Sequence, residues 1–399
     1  MSKSLLSRKL QNMSESATIE MAQKARDLKS KGIDVISLSL GEPDFDTPDY
    51  IKLAAKEALD SGMTKYTPVP GTMDLRQAIC NKFKRDNNID YTPSQIVVSN
   101  GAKQCIANVC LALLDQGDEV IIFTPYWVSY FEIVKFAGGT PVPLYAGIEE
   151  DYKVTPTQLS QAITDKTKLI IYSSPSNPTG SLFTKDELEA LAKVINNHKD
   201  LYVLSDEIYE YINFGGKNPS MANCEGMKER TITINGMSKG FAMTGWRLGY
   251  MGAPEWISKA CAKVQGQFTS GANAFGQYAA SIALAQEPSK QEYMKEKYLE
   301  RKGLVKKLLS EIDGFKCNDP QGAFYFFPNI SKLFGRSNGK RVINTANDLA
   351  DILLTEAHVG VVTGLAFGDP NSIRLSYATS NDKLTKALTR IKNTLSTYK

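Results

Sequence analysis

Between residues 95 and 253 the apolar residues fall in short blocks, separated by longer stretches with helical spacing. The blocks are 95–99 (QIVVS), 119–124 (EVIIFT), 168–173 (KLIIYS), 202–206 (YVLSD), 231–235 (TITIN) and 248–253. Each is almost continuously apolar rather than alternating, which predicts strands buried on both faces. A helical run follows Asn100-Gly101 as far as Leu114, and another covers 187–196. Strands alternating with helices predict a mostly parallel central sheet covered by helices, in the α/β class.

After about Ala285 the pattern changes. A long charged helix is expected over 290–310. It is followed by the apolar block 322–327 (GAFYFF), an Asp/Leu-rich helix near 347–356 and the short block 372–376 (SIRLS). These read as a smaller α+β unit, with the helix before Gly41 packed against it. At 399 residues the chain is too long for one simple core. The expected division is a large domain over 46–288 and a small domain formed by 1–45 with 289–399.

Composition narrows the partners. Hydrophobic residues make up 42% and charged residues 23%, with a net charge of +4. No basic block alternates with aromatics, so nucleic acid is not an expected partner. No apolar run reaches membrane-spanning length, and the basic, amphipathic stretch 1–11 lacks the apolar core of a signal peptide. The six cysteines form no C-x-x-C pair and lie scattered in apolar or helical runs. That fits a reducing compartment, and the expected location is cytoplasmic. Only His198 and His358 are present. They leave little material for a zinc site or a Ser-His-Asp triad, and no metal is expected.

Five stretches carry candidate chemistry. In 238–249 (SKGFAMTGWRLG), Lys239 follows a strand and Arg247 lies eight residues on in a glycine-bounded loop. A carbonyl cofactor needs an amine nucleophile at a fixed strand end and a cation for its phosphate. A lone lysine there would read as a surface residue. In 202–209 (YVLSDEIY), Asp206 ends a buried strand, where ligands bind in open α/β sheets. It suits a pyridine nitrogen, and Tyr209 a ring hydroxyl; a helix N-cap aspartate with a core tyrosine fits as well. The turn 174–180 (SPSNPTG) offers Asn177 to a cofactor hydroxyl, or is a plain turn. The junction 99–103 (SNGAK) places free N–H groups at a helix start, a phosphate cradle by geometry though not a Walker or dinucleotide loop. After EVIIFT come Pro125-Tyr126-Trp127, of which one ring can stack on a flat cofactor or fill the core. Finally, Arg374 sits in the apolar strand SIRLSYA and needs an anion, either a substrate carboxylate or a structural acid.

These segments, in this order, resemble the class I and II aminotransferases of fold type I, which use pyridoxal 5′-phosphate (PLP). The likeness spans nearly the whole chain. It also takes in SLGEPDFDTP (39–48), KYTPVPGTMDLRQAI (65–79) and TPYWVSY (124–130), and runs nearest to bacterial aspartate aminotransferases, a group that includes prephenate aminotransferases. The resemblance implies that Lys239 forms the Schiff base and then shuttles the proton. It implies that Asp206 pairs with the pyridine nitrogen while Tyr209 and Asn177 contact the ring hydroxyl. Gly101, Ala102, Ser238 and Arg247 would hold the phosphate, and Trp127 would stack on the ring. Gly41, Asn177 and Arg374 would bind the α-carboxylate region, and Tyr66 would reach the phosphate of a neighbouring subunit in a homodimer with shared sites. Lys103 is the candidate for a second substrate carboxylate, with help from Thr18; it serves the cofactor phosphate equally well.

Two positions depart from the family pattern. Gly240 stands where many relatives carry alanine or another small residue, a change expected to be harmless. Ser14-Glu15 stands where many close relatives have Lys-Pro, which puts an acid in place of a cation near the substrate entrance. The expected activity is aspartate:2-oxoglutarate amino transfer. The alternatives are an aromatic or prephenate aminotransferase, or a PLP lyase on the same fold. A transcription regulator would need a DNA-binding module before Gly41, and a dead binding protein would not keep Lys239, Asp206 and Arg374 together.

Overall fold

The computed structural model describes residues 5–11, 13–15 and 17–399. It contains twelve strands. They are β1 Ile36–Ser37, β2 Ile96–Ser99, β3 Glu119–Thr124, β4 Thr140–Tyr145, β5 Thr167–Ser173, β6 Tyr202–Asp206, β7 Thr231–Gly236, β8 Gly249–Gly252, β9 Tyr325–Phe326, β10 Val359–Gly360, β11 Val362–Thr363 and β12 Ile373–Ser376. Seven form the central sheet, in the order β2-β8-β7-β6-β5-β3-β4. Only β8 runs against the rest. The inner strands are apolar without alternation because helices cover both faces: every residue of β2, β6 after Tyr202, β7 and β8 is buried.

The six apolar blocks all became strands within one or two residues of their expected ends. One strand of the central sheet was not expected, and neither were the two-residue strands β1, β10 and β11. The edge strand β4 carries Pro141 and Pro143 and is largely solvent-accessible. Proline cannot donate to a ladder, which hides such a strand in sequence and confines it to an edge.

The C-terminal part builds two small sheets, β1 with β10 and β11-β12-β9. The long helix Glu292–Ser310 packs on Asn381–Leu395, and the N-terminal helix Ala17–Ser30 touches β1, β10 and β11. One buried cluster joins Ile36 and Leu38 to Tyr298, Leu353, Ile373 and Leu388, so the N-terminal segment shares the C-terminal core. No described helix is long and apolar enough to cross a membrane.

The topology decides where chemistry can gather. The parallel strands all deliver their carboxyl ends to one edge of the sheet. β8 is antiparallel, so its amino end arrives at that same edge, with Gly249 opposite both Ser99 of β2 and Gly236 of β7.

Candidate active site

At that edge lies a cavity of about 290 Å³. Five of the loops that follow strands lead into it. β2 leads into Gly101 and the helix Ala102–Leu113, β3 into Trp127, β5 into Asn177, β6 into Tyr209 and β7 into Ser238-Lys239. The antiparallel β8 is entered from Arg247. The smaller sheets supply Arg374 from β12, and the segment after β1 supplies Gly41. Thr18 reaches the rim. The sequence stretches singled out as chemical therefore converge on one cavity, with the exception of Tyr66, which is 99% exposed and is not among the residues that line it.

Lys239 sits at the floor, donating to the Gly41 carbonyl at 2.5 Å. Burial pushes its amine down to about 8, and the charges of Arg374 and Arg247 push the same way against Glu42 and Asp206. The Gly41 loop is fixed from the other side by Asp44, which takes both guanidinium nitrogens of buried Arg301 at 2.7 Å. Asp206 is fully enclosed. Burial raises its carboxyl to about 6, opposed by a 2.5 Å hydrogen bond from the Tyr130 hydroxyl and a 3.3 Å bond from the Ile208 N–H. It does not cap a helix: a short turn follows, and Tyr209 lies beside it with its hydroxyl 2.7 Å from that of Tyr325. Burial, then the neighbouring Tyr325, holds the Tyr209 phenol well above its ordinary range.

Arg374 is buried with no carboxylate partner among the described residues. It donates to Asn177 Oδ1 at 2.9 Å and to the Ser39 carbonyl at 2.6 Å, and lies 4.6 Å from the Tyr325 ring centre and 4.9 Å from that of Phe367. Its Nε has no partner. A buried cation without an acid is costly unless an anion completes it. The structural salt bridge that the sequence left open is absent.

A second anion site lies at the opposite end. Gly101 caps the helix Ala102–Leu113 with φ +87°, and a Cβ there would strike the Arg247 guanidinium. The first N–H groups of a helix have no intrahelical acceptor, and the dipole favours negative charge there. Arg247 itself donates only to the Thr244 and Asn100 carbonyls, at 2.9 and 3.3 Å. Lys103, in the first turn, holds its ammonium 4.9 Å from the Trp127 ring centre. Burial of that ammonium, then Arg247, lowers its pKa. A wider cleft of about 1140 Å³ adjoins at Lys103, between the N-terminal helix and the helices Ser129–Ala137 and Ala346–Thr355.

An enclosed amine, an enclosed carboxylate across from it, and two separate anion sites make a binding frame for a flat, phosphorylated, basic ring and a carboxylic acid. Residues 33–391 match the family model for aminotransferase class I and II. The chain belongs to that family. It is 45% identical over 393 residues to the aspartate/prephenate aminotransferase of Cereibacter sphaeroides, covering 97% of each chain. Its fold matches the aspartate aminotransferase of Rhizobium meliloti with a TM-score of 0.96 at 39% identity, covering 99% of each. It also matches the Thermus thermophilus aspartate aminotransferase with maleate, with a TM-score of 0.91 at 42% identity, covering 98% of this chain and 99% of that one.

Three features of this aminotransferase escaped the sequence reading. Tyr130 and Tyr325 line the cavity but read as ordinary aromatics in a helix and an apolar strand. The only pointer to Tyr130 was its place in TPYWVSY. The third concerns Gly240, whose missing Cβ matters. A Cβ there would fall 2.7 Å from Cδ2 of Tyr211, which is packed edge-on to Phe241 and donates to Asp86. Alanine at this position needs a smaller or displaced residue at 211, whereas the glycine leaves the Tyr211 ring its space.

Proposed function

We propose that this aminotransferase uses PLP and prefers dicarboxylic substrates, moving the amino group of aspartate to 2-oxoglutarate. The observation that carries the proposal is the set of three buried groups around one cavity: the Lys239 amine, the Asp206 carboxylate and the unpaired Arg374 guanidinium. The cofactor fits them. Its aldehyde would meet Lys239, its phosphate would be held by the N–H groups of Ala102 and Ser238 with the Arg247 guanidinium, and its ring nitrogen would give Asp206 a cationic partner. Trp127 covers the ring, and Tyr209 and Asn177 serve its hydroxyl. When bound, PLP supplies the electron sink that makes the Cα–H bond acidic.

The chain does the rest. Arg374 and Asn177 fix the α-carboxylate beside Gly41, which aims the Cα–H bond at Lys239. In its neutral form Lys239 would take the proton from Cα and return it to C4′ of the cofactor as general base then acid. Asp206 keeps the ring nitrogen protonated throughout. This use of one lysine for both transfers favours a transferase over a lyase, and turnover that depends on a 2-oxo acid distinguishes the two.

Dicarboxylate preference rests on Lys103 with Thr18. Lys103 lines both the cavity and the wider cleft beside it, and the Thermus relative is named with maleate, itself a dicarboxylate. The Cereibacter relative is named for prephenate as well. Ser14-Glu15 place an acid by the entrance cleft, which opposes an additional bulky anion. Lys103→Ala is expected to lower kcat/KM for aspartate by about 10- to 150-fold, from the roughly 1.5–3 kcal/mol of a charge-assisted pair. Alanine or aromatic donors should change little. Equal losses with every donor, together with leakage of PLP, would move Lys103 to the phosphate.

The same reading includes a homodimer in the cytoplasm, a large domain over 46–288 and a small one from 1–45 with 289–399. Tyr66, exposed in one chain, would complete the neighbour's phosphate site. Mixing an inactive Tyr66 variant, one bulkier than Tyr66→Phe, with inactive Lys239→Ala protein should then restore activity, because one site per heterodimer carries no substitution. Failure to recover after proven subunit exchange argues for self-contained sites.

A further inference from the structure

Tyr66 stands fully in solvent, yet the loop behind it is held at almost every residue. Two glutamines do most of this. Gln265 and Gln277 are both completely buried, a rare place for an amide unless its hydrogen bonds are met. Gln277 donates to Thr67 Oγ1 at 2.9 Å and to the Ala272 carbonyl at 2.8 Å, and accepts from the Thr72 N–H at 2.8 Å. Gln265 donates to the carbonyls of Val69 and Val98 at 2.7 and 2.8 Å, and accepts from Ser99 Oγ at 2.5 Å and Asn108 Nδ2 at 3.1 Å. Between them the Pro70 carbonyl takes the Val98 N–H at 3.0 Å. Thr67, Val69, Pro70 and Thr72 are thus all tied to the sheet or to the helices Glu255–Phe268 and Ala274–Ala285.

Helix packing alone does not ask for this. Leucine or methionine would fill either position without a polar group to satisfy. What the glutamines supply is a fixed backbone for the residues next to an exposed aromatic ring. Ordering a loop and a side chain at the moment of binding weakens the contact, and prior ordering removes that cost.

We propose that Gln277 and Gln265 are positioning residues that hold Tyr66 where the neighbouring subunit's cofactor phosphate can use it. This rests on the assignment of Tyr66 to that phosphate. The two glutamines differ in one useful way. Gln265 also holds Ser99, next to the chain's own cradle at Gly101, whereas the Gln277 side chain, among the described residues, bonds only to Thr67, Thr72 and Ala272. Gln277 is therefore the cleaner probe.

The test is a double-substitution cycle on the full-length dimer. The dissociation constant of PLP is read by absorbance for wild type, Gln277→Leu, Tyr66→Phe and the pair. Each single change should weaken PLP by about 2- to 12-fold, the range of one net hydrogen bond. The pair should be no weaker than Tyr66→Phe alone, because Gln277 acts through the Tyr66 hydroxyl. Should Gln277→Leu not fold, Thr67→Val removes the contact nearest Tyr66 and enters the same cycle. Losses that multiply in the pair, or wild-type affinity in both Gln277→Leu and Thr67→Val, overturn the positioning role while leaving Tyr66 in place. Wild-type affinity in Tyr66→Phe overturns the assignment of Tyr66 itself, and the positioning role with it.

Discussion

Lys239→Ala is expected to abolish amino transfer, with a loss of at least about 10³-fold, while the protein folds and still binds PLP noncovalently. General acid–base help from one residue is worth roughly 10²–10⁴-fold, and here the same amine also makes the covalent link. Folding should survive because the change removes an enclosed polar group whose described hydrogen bond is to the Gly41 carbonyl. Binding should survive because, on the proposed assignment, the phosphate end would still be held by Arg247 and the start of the helix at Ala102. The check is 2-oxo acid formation, together with the cofactor's absorbance. Wild-type-like turnover in Lys239→Ala without added amine would sink the assignment.

A pH test follows from the same residue. Burial and two arginines push the Lys239 amine down to about 8, so below that pH it is mostly ammonium and has no lone pair. Capture of free PLP by cofactor-free protein should therefore speed up as pH rises through about 8 and then level. Arg374→Leu removes a positive neighbour, raises the lysine pKa and moves this rise to higher pH. An unmoved profile would mean that burial alone sets the amine.

The legible part of this site was the part with a strong local signature. An arginine in an apolar strand violates the rules of its surroundings, while Asp206 and Lys239 were legible by their places at strand ends, and all three reached the cavity. What periodicity cannot read is direction. Block 248–253 was an expected strand, but only its antiparallel course brings Arg247 to the cofactor edge. Nor does an aromatic residue in an apolar run announce a hydrogen bond. Tyr130 and Tyr325 look like core from the sequence, although one holds Asp206 and the other joins Tyr209 beneath Arg374. The Gly240 departure shows the same limit. Its reason lies with Tyr211, 29 residues away in the chain and in contact only in the fold.

Asp206→Asn is expected to cost at least about tenfold in kcat, or roughly 1.4 kcal/mol of barrier, with the fold intact. The amide is nearly the same size, and its one oxygen can keep the Tyr130 hydroxyl bond now made to Oδ2 or the Ile208 N–H bond now made to Oδ1, but not both. It cannot carry the charge that keeps a ring nitrogen protonated. The carboxyl is itself poised: burial raises it to about 6, and the Tyr130 bond is the largest force holding it down. Above that pH the cofactor-free site presents an anion, and below it a neutral acid. A bound ring cation stabilises the anion further, so the loaded enzyme should keep its activity below pH 6. Tyr130→Phe removes the chief donor, raises the Asp206 pKa and should shift the acid limb of kcat/KM, which reports the substrate-free enzyme, to higher pH with the alkaline limb unmoved. Asp206→Asn should erase that acid limb instead. If Asp206→Asn loses less than about tenfold, and Tyr130→Phe leaves the acid limb where it was, the carboxylate is a buried structural acid and the electron sink depends on another group.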